Sequence, residues 1–236
     1  MLTGAQILKT MDASREEINE ISAGGPKYLV VDYKGPKSII DPANKDKAGL
    51  IFYRDEAYKP AVIDFYAGVC GSRIMAEIIL SHADLYDIDA SLAFSLAWKE
   101  SNFQPDVTHT NSGGSVDRGL FQLNSKYFVF SSEREVFDVR KNANAGLKHL
   151  RYLLNEAGNK VAALAMYNAG KSRVSDGETP LRTLNYVHKI LNYEEDLNNR
   201  LINYIERFLI DMRGMRGDIY YKTDLTQAGS LNSLYQ

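Results

Sequence analysis

The chain is 236 residues long, 44% apolar and 25% charged, an ordinary globular composition that excludes a disordered, collagen-like or coiled-coil protein. Its 28 lysines and arginines face 30 acids, a formal charge of −2, so no basic excess exists to hold a phosphate backbone and nucleic acid is not an expected partner. One cysteine, Cys70, excludes an intrachain disulfide and a cysteine-cluster zinc site, and four scattered histidines (His82, His109, His149, His188) make no metal-binding pair.

Residues 1–10 lack a basic stretch followed by an apolar one, so the expectation is either an export signal already removed or none at all. Within 3–23, Leu8, Met11, Ile18 and Ile21 alternate with charges and run into Gly24-Gly25-Pro26, which predicts a surface helix or helix pair. Across 27–60 the pattern changes to β-branched and aromatic runs, 28–33, 38–40 and 49–53, separated by Gly-Pro and Asp-Pro turns, and this predicts a strand-and-loop arm. From Ser72 onward helical spacing dominates. Met75, Ile78, His82 and Leu85 form one stripe, with His82 expected as a packed residue, and Ala143, Leu147, Leu150, Leu154 and Ala157 form another that stops at Gly158. A short apolar helix is predicted over 160–169. One or two more follow over 184–213, with Leu197, Leu201, Ile205, Phe208 and Met212 on one side, and then a polar, irregular tail over 214–236. The longest apolar runs, 92–98 and 161–167, are far shorter than the roughly 20 residues of a membrane span. Turn chemistry at Asn111-Ser-Gly-Gly-Ser115 predicts a small hairpin over 108–125.

The chemistry-bearing feature is a carboxylate at a helix end. Asp89 is placed to cap a helix starting at Ala90, in which Ala93, Leu96, Ala97 and Glu100 share one face. Partial burial and the negative end of the helix dipole both disfavour the charged form of Glu100, so its pKa is expected to rise, which suits a general acid near neutral pH. The alternative is a rim residue, solvated or paired with an arginine such as Arg118.

Glu100-Ser101-Asn102-Phe103, then Gly119-Leu120-Phe121-Gln122, then Met166-Tyr167-Asn168-Ala169-Gly170, and then Thr183-Leu-Asn-Tyr186-Val187 resemble, in order, the four motifs of soluble-lytic-transglycosylase domains. The stretch from Asp138 through Asn142 to Gly146 is similar to the family's segment leading into its next helix. The likeness covers about residues 72–193. A second one overlaps it: Glu100 through Asn124, including Asp117, resembles the catalytic helix and hairpin of animal C-type lysozymes. Both resemblances imply a mainly α (α+β), lysozyme-like fold with a small hairpin. The expected division is an N-terminal helix and strand-and-loop extension (1–66), a catalytic domain (67–195) and a C-terminal helix and tail packing on it (196–236).

Under the first resemblance Glu100 protonates the leaving glycosidic oxygen of a MurNAc–GlcNAc strand. It then takes the proton of the muramic acid C6 hydroxyl, which closes a 1,6-anhydro ring. Substrate contacts are expected from Gln122 and Asn168, whose amides suit sugar hydroxyls and N-acetyl groups, and from Tyr167 and Tyr186, which offer a flat face and a hydroxyl. Ser101 supports the helix end, while Phe121 and Met166 line the cleft or the core beneath it. Asp117 stays open between a second catalytic carboxylate, which would make the site a hydrolase, and a turn residue bonding backbone amides within the hairpin. Arg182 departs from the family pattern, where a glutamate often precedes the threonine. The expectation is a lytic transglycosylase without metal or organic cofactor; the alternatives are a hydrolytic muramidase using Glu100 and Asp117, and a non-enzymatic wall-binding or assembly module. Peptidoglycan strands are the expected partner, with envelope assembly or secretion components alongside. The expected setting is the periplasm or envelope of a bacterium, or a phage particle.

Overall fold

The computed structural model describes residues 42–221. The helix expected over 3–23, the runs 28–33 and 38–40, and residues 222–236 lie outside the described residues. After a 3₁₀ turn, Pro42–Lys47, come helices α1 (Ala48–Tyr53), α2 (Lys59–Cys70), α3 (Arg73–Leu85) and α4 (Ala90–Ser101). Three short strands follow, β1 (Thr108–Thr110), β2 (Val116–Arg118) and β3 (Leu123–Asn124), and then α5 (Glu133–Val136), α6 (Val139–Ala157), α7 (Lys160–Ala169), α8 (Lys171–Ser175) and α9 (Leu181–Tyr221). The strands make one antiparallel sheet in the order β1-β2-β3, with His109 opposite Asp117 and Asp117 opposite Asn124. The fold is mainly helical with a small antiparallel sheet, as the sequence predicts.

Local capping explains three helix starts. Ser72 Oγ accepts from the Met75 amide, Asp138 Oδ1 from that of Lys141 and Asn159 Oδ1 from that of Ala162, each satisfying a donor that the first turn leaves unpaired. Asp89 occupies the start of α4 but its carboxylate caps no amide. It is half-buried instead, and that burial pushes its pKa up to about 6. The nearby Lys160 pairs with Glu194 at 2.8 Å and Asp46 at 3.2 Å.

Helix α4 is the axis of the core. Residues 90–97 are all buried, with Phe94, Leu96 and Ala97 fully so, so the helix is enclosed on every side rather than along a single stripe. It packs chiefly on α9, with α3 and α1 alongside. Tyr66 of α2 stacks on Phe94 with ring centroids 4.2 Å apart and shares a 2.8 Å hydrogen bond with Ser91. Burial of each such large apolar side chain stabilises the fold by about 1.5–3 kcal/mol.

Two sequence expectations are corrected. Residues 49–53 form helix α1, not a strand: Gly49, Leu50 and Phe52 are buried, and a Cβ on Gly49 would lie 2.7 Å from Ala90 Cβ. A short apolar run is ambiguous by periodicity alone, and here the close approach to α4 decides for helix. The tail predicted as irregular from 214 is helical through Tyr221, because α9 continues as one 41-residue helix. No proline falls between 181 and 221 to stop it. Leu197, Leu201 and Ile205 are fully buried on one of its faces.

Candidate active site

Helix α4 ends at Ser101 because Asn102 and Phe103 turn into the left-handed region, φ 51° and 61°, a conformation that asparagine tolerates at a helix end and that is costly for the bulky Phe103. The turn leaves Glu100 on the last turn of a buried helix with part of its surface accessible. Ser101 Oγ donates to the carbonyls of Ala97 at 3.1 Å and Leu120 at 2.7 Å, tying the helix end to the loop between β2 and β3.

That loop, Gly119 to Gln122, is held by Asn142, a fully buried residue of α6. Asn142 Oδ1 accepts the Phe121 amide at 2.8 Å, and Nδ2 donates to the carbonyls of Val136 at 2.8 Å and Arg118 at 3.1 Å. Gly119 has φ 80°, and a Cβ there would meet Asn142 Nδ2 at 2.3 Å and the Val136 carbonyl at 2.7 Å, so only glycine lets the amide approach. Gly146, one turn along α6, leaves room for Phe121, whose Cβ would lie 2.6 Å from a Cβ on that glycine.

The late motifs close on the same place. Tyr167 OH donates to the Phe121 carbonyl at 2.9 Å, Thr183 Oγ1 donates to Asn168 Oδ1 at 2.8 Å, and Tyr186 OH donates to Glu100 Oε1. Burial and the neighbouring carboxylate Glu100 hold both tyrosine hydroxyls well above their ordinary pKa, so they stay protonated donors. Burial pushes Glu100 itself up to about 7, offset in part by the Tyr186 hydrogen bond and the Lys99 charge, with a small further upward push from Asp117. Lys99 also sits 5.2 Å over the Tyr186 ring, fixing that ring from its other face. Among the described residues Tyr186 is the hydrogen-bond partner of Glu100, which forms no ion pair; the arginine pairing offered by Arg118 does not occur.

Asp117 is committed to the sheet. Its Oδ1 accepts from Asn124 Nδ2 at 2.6 Å and its Oδ2 from Asn111 Nδ2 at 3.0 Å. The partners are side-chain amides, not the backbone amides expected of a turn aspartate. Phe121 is fully buried, which places its ring in the core rather than along a substrate surface. The Gln122 amide is spent on the carbonyls of Val107 at 2.9 Å and Gly119 at 2.8 Å, leaving Oε1 as its free polar atom among the described residues. Met166 and Tyr167 are partly exposed and Asn168 exposed. The structure therefore gathers Glu100, Ser101, Gln122, Tyr167 and Tyr186 around one loop and helix end, with Asn168 held beside them through Thr183.

Three residues outside the expected set matter. Asn142 was legible as part of the Asp138-to-Gly146 segment, and Thr183 as the start of the last motif. Lys99 carried no signal beyond its place next to Glu100. His82 is a packed residue, as expected, with Nδ1 2.7 Å from the Ile78 carbonyl. No group of three or more His, Cys, Asp or Glu is placed to hold a metal ion among the described residues. Two cavities, of about 390 and 360 Å³, lie under the loop after β3 and between α7, α9 and the first turn. Neither is lined by Glu100.

Comparison with known proteins gives three findings. The family model described as "Transglycosylase SLT domain" matches residues 77–183. Among solved structures, an inactive mutant of the lytic transglycosylase Slt from Pseudomonas aeruginosa aligns with a TM-score of 0.45 and 22% identity, over 53% of this chain and 24% of that one. The 70 kDa soluble lytic transglycosylase from Escherichia coli aligns with a TM-score of 0.44 and 24% identity, over 55% of this chain and 24% of its own. The chain thus spans about a quarter of the length of either. No curated protein matches. The matched segment runs from α3, through the helix that carries Glu100, to the Thr183 that opens the last motif, and over residues 77–183 the chain is similar to a transglycosylase SLT domain.

Proposed function

We propose that the chain is a peptidoglycan lytic transglycosylase, with Glu100 as general acid and then general base at the MurNAc–GlcNAc β-1,4 bond. The observation that carries the reading is a single unpaired carboxyl, raised to about 7 by burial, that receives a tyrosine hydroxyl. Such a group is substantially protonated at neutral pH and delivers that proton to the leaving oxygen. The carboxylate left behind is stabilised by Tyr186 OH and is the base that removes the C6 hydroxyl proton as that oxygen attacks C1. Holding an internal nucleophile in place replaces a diffusing water and lowers the entropic barrier to ring closure. Gln122 Oε1, the partly exposed Tyr167 and the exposed Asn168 are the groups offered to the sugar's hydroxyl and N-acetyl substituents. The setting that fits this substrate is a bacterial envelope or a phage particle that breaches it.

A hydrolytic reading needs a second catalytic carboxylate. Asp117 accepts one side-chain amide at each oxygen, from Asn124 and Asn111, and we read it as a residue that holds the sheet. Asp117→Asn is accordingly expected to keep activity within about threefold, whereas a catalytic carboxylate in that role would cost ~10²-fold or more. Steady-state rates on purified sacculi separate the two. Digestion of the same sacculi followed by mass spectrometry tests the reaction itself: anhydro-muramic ends are the expected products, and reducing ends, one water heavier, would overturn the proposal.

The Tyr186 bond sets a pH signature. Tyr186 OH favours the charged form of Glu100, so Tyr186→Phe raises the pKa of Glu100 further. Activity requires the protonated acid and falls as pH rises through that pKa, so the alkaline limb of the rate profile moves to higher pH in the variant. Its maximum falls about tenfold, because the carboxylate formed in the first step loses its donor. A limb that stays in place or moves down would exclude this role for Tyr186.

A further inference from the structure

We propose that the cavity beneath the loop after β3 is a carboxylate-binding subsite, with Arg118 as its cation, that takes the acidic peptide branch of the glycan; the identity of that branch rests on the peptidoglycan reading above. The cavity, about 390 Å³, is lined by Arg118, Ser125, Phe128, Phe130, Ser132 and Glu133, with Val129 at its mouth. The Arg118 side chain makes no hydrogen bond or ion pair with any described residue, and its Nε is buried without a partner. A buried guanidinium nitrogen left unpaired is unfavourable, and the planar fork of the group matches a carboxylate through two parallel hydrogen bonds. Glu133, the one carboxylate among the lining residues, is exposed and forms no ion pair with Arg118, so a ligand carboxylate would displace no bond of the protein's own.

The base of the arginine is rigid. Its carbonyl accepts from Asn142 Nδ2 at 3.1 Å, and its residue pairs with Thr108 on one side and Leu123 on the other. Ser125 Oγ accepts the Val116 amide at 2.9 Å, which leaves its hydroxyl proton free to donate. Phe128 and Phe130 supply the apolar wall, both packed against the core.

Position decides between the main chain of a polymer and a side branch. Asp117 and Arg118 are consecutive in β2, and successive side chains in a strand point to opposite faces. The charge of Asp117 acts on Glu100 and Tyr167, so Arg118 faces away from the reacting carboxyl. A glycan seated at Glu100 does not itself enter the cavity. A branch of four extended residues spans roughly 13 Å, the reach assigned to the branch whose end carboxylate meets Arg118.

The test uses a free murein tetrapeptide, which contains no glycosidic bond, and the same peptide with every carboxylate amidated, titrated into the full chain by calorimetry and by NMR. Expected are saturable binding of the acidic peptide, at least tenfold weaker binding of the amidated form, a comparable loss in Arg118→Gln, and partial retention in Arg118→Lys. Equal affinity for the two peptides, no loss in Arg118→Gln, or no saturable binding of the acidic peptide would overturn the subsite. The amidated arm uses the unaltered protein, so the result does not depend on the variants folding. Cleavage of glycan stripped of its peptides, measured in parallel, reads the proposed reaction separately. Peptide binding without cleavage leaves the subsite standing and counts against the transglycosylase reading alone; cleavage without carboxylate-dependent binding does the reverse.

Discussion

Glu100→Gln is expected to abolish glycan cleavage, by at least ~10³-fold, while making the protein more stable at alkaline pH. The loss follows from asking one group to serve as acid and base, since either role alone is worth about 10²–10⁴-fold and glutamine performs neither. The gain follows from linkage. Burial lifts the pKa of Glu100 from 4.5 to about 7 in the folded chain, so between those values the native state holds a proton that the unfolded state has released. Folding stability therefore declines as pH rises from about 4.5 to about 7, and above that the full cost of a buried carboxylate is present. For a side chain that keeps some exposure, that cost is about 1–3 kcal/mol. Glutamine accepts the Tyr186 hydroxyl and never ionises. The variant should thus melt a few degrees higher at pH 8 and near the parent at pH 4. Thermal melts at the two pH values, run beside a sacculus-clearing assay, check both halves. Equal stability at pH 8 would mean that the carboxyl is not buried against protein, and retained cleavage would remove Glu100 from the chemistry.

Asn142→Leu is expected to be the most damaging substitution away from Glu100. It removes one acceptor and two donor contacts from a fully buried residue and leaves the Phe121 amide and the carbonyls of Arg118 and Val136 unpaired. Unsatisfied buried groups cost about 1–3 kcal/mol each; with partial relaxation a total of about 3–5 kcal/mol follows, a large share of the 5–15 kcal/mol that holds a typical protein folded. A melting temperature lower by ~10 °C is the corresponding shift. Activity should fall more than stability alone explains, because the loop that Asn142 holds also anchors Ser101 through Leu120 and Tyr167 through Phe121. Asn142→Asp keeps the acceptor for Phe121 but sets a second carboxylate oxygen against two carbonyls, so it should rescue little. A melting temperature within 2 °C of the parent in the leucine variant would show that the loop is held by other contacts.

What could be read in advance differs by residue, and the differences have physical causes. The motif glycines and asparagines were legible because each sits where one residue type alone fits: a positive φ at Gly119, a close approach at Gly146, a buried amide between three backbone groups at Asn142. Glu100 was legible from its place at the end of an apolar helix. Run 49–53 was misread as a strand because five apolar residues carry no period long enough to separate the two geometries; the packing of Gly49 on Ala90 settles it. Asp89 has the composition of a cap, yet it turns inward toward the neighbourhood of Lys160, a lysine more than seventy positions away that no local rule could bring to it. Arg118, named only as the alternative partner of Glu100, forms no ion pair among the described residues, and strand alternation sends it to the face opposite Asp117.

By itself the sequence determined the helical class, the interrupting sheet, the carboxylate at the end of the helix starting at Ala90 and the order of the motifs, because these depend on periodicity and on side chains acting within a few positions of one another. The tertiary structure alone decided that Tyr186 bonds Glu100, that both oxygens of Asp117 are spent on Asn111 and Asn124, that Phe121 belongs to the core and that Arg118 lines a separate cavity. Those outcomes turn on which distant groups share a volume, and on the loss of water around them, which is what moves a carboxyl from 4.5 to about 7.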